Sequence, residues 1–223
     1  MTFRWEQRFP DLGQFTYIIR KLQAYSLTFM ISSTEKLSFR FNIIAIMILV
    51  AAFSRIIPHM TNFSPLAAIS LFGAAHFEKK WQAFLIPIAA TWLSDLFISN
   101  VLYAQNYTSF TWFYQGFYWQ YASYLLIVLA AIFIFKKVTI TSIVSGIVAS
   151  TVIFFLVSNF GVWMGSRLYP KSFSGLLACY AAAVPYLQGT LLGNLFYSGA
   201  LFGGFYLVKK KVPALGLQHR QLL

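Results

Sequence analysis

FNIIAIMILVAAFSRIIPHMTNFSPLAAISLFGAAHF, residues 41–77, decides what kind of protein this is. Two apolar runs are joined by PHMTNFSP (58–65). A hairpin between membrane helices needs only a turn. This junction supplies hydrogen-bonding side chains, an aromatic ring and two prolines that fix the backbone.

The rest of the chain follows the same pattern. It is 59% hydrophobic and 10% charged, with aromatics at 19% and a mean hydropathy of +0.67. Ordinary soluble domains are about 45–50% apolar and about 25% charged. The fold class expected is an all-α membrane protein. A span needs roughly 20 apolar residues, and six candidates stand out: 41–57, 65–77, 81–103, 117–135, 138–162 and 186–208. The second is short, and either leans on its neighbours or dips as a partial helix. GLLACYAAAV (175–184) predicts an extra short helix before the last span, stopped by Pro185.

The net charge of +12 could point to nucleic acid, but its distribution points to a bilayer instead. Lys79 and Lys80, Lys136 and Lys137, and Lys209 to Lys211 fall on one side of a six-span count. Arg4, Arg8, Arg20, Lys21, Lys36 and Arg40 of the N-terminal tail join them. The positive-inside rule then makes both termini cytoplasmic. The domain reading is a tail over 1–40, a membrane domain over 41–208 and a basic tail over 209–223. Within the first tail, residues 14–29 fit an amphipathic helix on an anionic leaflet, an irregular tail, or sequence ahead of a true start at Met30.

Five acidic residues exist, and Asp95 alone lies inside an apolar run. A lone carboxylate in hydrocarbon costs roughly 2.5–3.5 kcal/mol on the most lenient scale, so Asp95 must face protein, water or a cation. Arg55 is the basic residue at comparable depth. Either the two form a structural pair, or Asp95 contacts a ligand or carries a proton. Thr91, Asp95 and Ser99 share a helical face, as do Thr190, Asn194 and Ser198. Gly189 with Gly193, Gly199 with Gly203, and Ser142, Gly146 and Ser150 form small-residue patterns for helix packing or a partner subunit.

In the junction, Ser64 suits an N-cap and Pro65 a first helical turn. His59, Asn62 and Phe63 remain. A second Asn-Phe pair stands in SNFGVW (158–163), on the same predicted side. Asn62, Phe63, Asn159, Phe160 and Trp163 therefore suggest one pocket mixing amides with aromatic walls, with His59, Tyr180, Gln188 and Asn194 as further polar candidates. The alternative is that both asparagines tie loops to helix ends. The uncharged link YAQNYTSFTWFYQGFYWQYASY (103–124) reads as an interfacial aromatic belt or as a lid over a planar ligand. His59 and His76 lie at opposite predicted depths, which argues against a shared haem or metal site; no cofactor is called for. Cys179 is the only cysteine, so neither an intrachain disulfide nor a thiolate cluster is possible.

PHMTNFSPLAAISLFGAAHF, WLSDLFIS, VSNFGVW and YPKSFSGLLACYAAAVPYLQGTLLGNLFYSGALFG resemble an uncharacterised family of bacterial integral-membrane proteins, over residues 41–208. That family is in turn similar to the substrate-binding (S) subunits of energy-coupling factor transporters. The resemblance implies a bacterial plasma membrane, a vitamin-like ligand held near the outer side, and separate coupling and ATPase subunits. No Gly-Lys occurs in the chain, so it has no Walker A loop. The small-residue face that S subunits present on their first helix is interrupted, with Leu49 beside Ala45, Ala51 and Ala52.

Three function classes follow. The leading one is a small-molecule-binding subunit for uptake. A structural or assembly subunit is the second. A membrane enzyme would have to draw on His59, Asp95 and Cys179, which show no triad pattern.

Overall fold

The computed structural model describes residues 37–212 together with Arg20 and Leu215. Helix α1 runs Leu37–Ile56 and closes in a 3-10 turn at Ser54–Ile56. It is followed by α2 (Leu66–His76), α3 (Lys80–Phe97), α4 (Phe117–Ile134), α5 (Ile140–Gly165) and α6 (Phe173–Lys211). Helix α3 continues through a π-turn at Ile98–Leu102. No strand occurs among the described residues. Helices α1, α3, α4, α5 and α6 are long and apolar enough to cross a membrane. The chain is a multi-pass helical membrane protein. Segment 14–29, Arg20 apart, and residues 216–223 lie outside the described residues.

The short helix α2 has 11 residues, about 16 Å at 1.5 Å per residue, roughly half a hydrocarbon core. It is the centre of the molecule rather than a span on its rim. Leu66 through Gly73 are all buried, and α2 packs against α3, α4, α5 and α6. A helix that is apolar all round belongs in a core, and its small residues let neighbours close in. A Cβ on Gly73 would stand 2.8 Å from the Pro87 ring of α3. Phe72 meets Phe202 and Phe205 of α6 edge-on.

At one end of the bundle, Arg40 of α1 donates to the His76 carbonyl and the His76 ring lies 4.6 Å from that of Phe205. Helix α1 therefore begins where α6 ends, and the lysine pairs before α3 and α5 share this end. The links 57–65, 103–116 and 166–172 lie at the opposite end.

Two expectations are corrected. Pro185 does not stop a short helix: α6 is one helix of 39 residues with Pro185 inside it. A proline costs a helix one hydrogen bond, a loss that membrane helices tolerate because neighbouring groups compensate. The helix starts instead at Ser172, whose side chain accepts from Gly175 N at 3.2 Å. Ser142 is not a packing residue. It is half-buried and completes a capping box with Thr139 at the start of α5. Gly146 does pack, against Phe135 and Leu71.

Candidate functional site

Charge inside the bundle is resolved first. Arg55 Nη1 donates to Asp95 Oδ1 at 2.6 Å and to Ser94 Oγ at 3.0 Å. Tyr121 of α4 donates to the other carboxylate oxygen at 2.8 Å. Ser94 passes its own proton to the Thr91 carbonyl at 2.8 Å. The side chains of Arg55 and Asp95 are only 17% and 8% exposed. The cluster ties α1, α3 and α4 together with both carboxylate oxygens engaged, which is the paired alternative for Asp95.

The link 58–65 is seated on α6. A Cβ on Gly189 would clash with the Thr61 carbonyl, and one on Gly193 would lie 2.8 Å from Ser64 N. These two glycines are absent side chains into which the link's backbone fits. Phe63 N donates to Met60 O at 3.1 Å, with Asn62 at φ 63°. Asparagine is among the few residues that accept this left-handed geometry. Phe63 turns to Phe196 and Tyr197. Helix α2 begins one residue later than expected, with Pro65 at the N-cap; Ser64 Oγ lies 3.5 Å from Leu66 N.

Above this seat α5 and α6 separate. Asn194 Nδ2 donates to Thr151 Oγ1 at 2.9 Å, and Cys179 Sγ lies 3.5 Å from Asn159 O. Between those contacts α5 advances eight residues and α6 fifteen, about 12 Å against about 22 Å of helix. Between these contacts, where α6 contains Pro185, the two helices border a cavity of about 620 Å³, within the range of about 300–1,000 Å³ of small-molecule sites. Asn62 of the link, Trp119 and Gln120 of α4, Phe154 and Asn159 of α5 and Thr190 of α6 all line it. Among the described residues no Asp, Glu, Lys, Arg or His does.

The two asparagines thus meet in one cavity. Asn159 also spends its Nδ2 on the Phe155 carbonyl at 2.7 Å, so both proposed roles, pocket and helix tie, coincide in one side chain. The other candidates do not line the cavity. His59 is exposed, with Nδ1 at 3.0 Å from Met60 O. Phe160 packs on Trp119 with ring centroids 5.3 Å apart. Trp163 donates to Pro170 O at 2.9 Å and Tyr180 to Leu156 O at 2.7 Å. Gln188 is exposed. Asn194 is buried against Ser150 and Thr151. Cβ atoms on Gly199 and Gly203 would meet nothing within 4 Å.

The link 103–116 divides its work. Trp112 and Phe113 lie against Trp92 of α3, and Asn100 holds both the N–H and the carbonyl of Thr111, at 2.7 and 2.9 Å. Gln115 and Gly116, by contrast, form cavity wall. Burial raises the Tyr114 phenol above its usual range, with Tyr124 and Asp95 adding to it. It therefore stays protonated and donates to Gln120 Oε1 at 2.8 Å.

Sequence reasoning missed the two wall residues that matter most. Trp119 Nε1 and Ser166 Oγ are buried and have no hydrogen-bond partner among the described residues; both residues line the cavity. The available signal was Gly161 in SNFGVW, where a Cβ would collide with the Trp119 side chain. His59, Asp95 and Cys179 each bond to different groups. Among the described residues no three of His, Cys, Asp and Glu gather to hold a metal.

Comparison with known proteins gives a family without an activity. The model of a family of unknown function (DUF6580) matches residues 35–215, and the chain belongs to that family. No curated protein matches, nor does any solved structure.

Proposed function

We propose that this member of the family is the ligand-holding subunit of a small-molecule uptake system in a bacterial plasma membrane. The observation that carries the reading is the cavity between α5 and α6, lined by uncharged polar side chains and aromatic rings; two of its lining residues, Trp119 and Ser166, also carry buried polar atoms without a partner among the described residues. Leaving such a group unpaired costs about 1–3 kcal/mol, a cost that a molecule reaching it on binding would remove. The lysine-rich end is cytoplasmic by the positive-inside rule, so the cavity faces outward and both termini face in. With no Walker A loop in the chain, energy comes from separate coupling and ATPase subunits.

Mass spectrometry of the gently purified full chain, under native and then denaturing conditions, tests this. A stoichiometric small molecule released on denaturation, and lost from Asn159→Ala, is expected. A chain with no bound molecule, arriving instead with stoichiometric membrane partners, would favour an assembly subunit. Gly199 and Gly203 support that second reading, because a Cβ at either would meet nothing within 4 Å among the described residues, which leaves a small-residue surface on α6 for a partner helix.

A further inference from the structure

We infer, resting on the cavity being a binding site, that its ligand is uncharged and planar and carries an amide- or lactam-type group. The absence of charge among the lining residues comes first. An ion placed there would give up part of its water and gain no counter-charge from these residues, an unfavourable exchange. Lys171, close to the wall residue Ser166, is already committed: its ammonium donates to the carbonyls of Trp163, Met164 and Ser166.

The polar inventory then fixes the ligand's complement. Indole Nε1 is a donor only, so the partner of Trp119 must be an acceptor such as a carbonyl or ring nitrogen. Ser166 accepts either role. Gln120 has given its carbonyl oxygen to Tyr114 and keeps its N–H donors. Asn159 has given one N–H to Phe155 and keeps its other N–H and its carbonyl oxygen. The wall therefore offers donors at Gln120 and Asn159 and an acceptor at Asn159, beside the further amides of Asn62 and Gln115, a set that an amide edge with adjoining C=O and N–H satisfies. Trp119, Phe154 and Phe155 supply flat apolar surface for the remainder.

The experiment uses the full chain in detergent and a panel matched except for charge: benzamide with benzoate and benzylammonium, and uracil with orotate. Binding is read by indole fluorescence and by the shift in melting temperature. The amide and lactam members are expected to bind at least tenfold more tightly than their charged counterparts. Trp119→Phe and Ser166→Ala should each weaken them several-fold with the circular dichroism spectrum unchanged. A charged member binding as tightly, or a co-purified molecule bearing net charge, overturns the ligand class and leaves the cavity as a site. A preparation that binds no panel member and releases no molecule overturns the parent reading itself.

Discussion

Two polar regions lie inside this apolar bundle, and they are finished to different degrees. Around Asp95 every strong group has its partner: the carboxylate takes Arg55 and Tyr121, Arg55 takes Ser94, and Ser94 takes the Thr91 carbonyl. Around Trp119 the accounting stays open, with Nε1 and Ser166 Oγ buried and without a partner among the described residues. The first region behaves as a fastener between helices, and the second as a wall awaiting a guest. Polarity alone does not separate the two; satisfaction does.

Breaking the fastener should have the largest effect. Asp95→Ala leaves Arg55 buried without its counter-charge, and a loss of about 3–5 kcal/mol is expected, read as a lowered unfolding midpoint in detergent. Replacing both partners, Arg55→Met with Asp95→Leu, should recover most of it, because the cost lies in the orphaned charge. If the single change is harmless, the cluster is not a fastener.

The glycines of α6 give a sharper contrast at smaller magnitude. Gly189→Ala drives a methyl into the Thr61 carbonyl and should cost about 1–3 kcal/mol. Gly199→Ala meets open space, and should be neutral or raise stability by up to about 1 kcal/mol on helix propensity. Equal melting temperatures for the two would show that the 58–65 link does not rest on α6. Smallest of all, Ser166→Ala should leave stability within about 0.5 kcal/mol while reducing ligand retention. A stability loss with retention unchanged would make Ser166 a structural residue.

Much of the fastener was legible in the sequence. A single carboxylate in an apolar run demands a partner, and Arg55 was the only cation at its depth. The meeting of Asn62 with Asn159 followed from two Asn-Phe pairs on one predicted side. Other features were hidden for physical reasons. Pro185 reads as a stop by rules formed in water, yet α6 runs through it. Helix α2 reads as a deficient span because hydropathy cannot distinguish lipid from a protein core. Trp119 opens α4 directly after the link, in a stretch of sequence so rich in aromatics that no ring stands out, and Ser166 lies beyond the motif that flagged its neighbours. Ser142 has the spacing of a packing residue, and only Thr139 ahead of it reveals the cap.

The most direct measurement is a high-resolution map of the gently purified full chain in a lipid nanodisc. The account predicts non-protein density between α5 and α6, with an acceptor atom about 3 Å from Trp119 Nε1 and a second contact at Ser166. A cavity closed by its own walls, with Trp119 and Ser166 turned to bond protein groups, would contradict it.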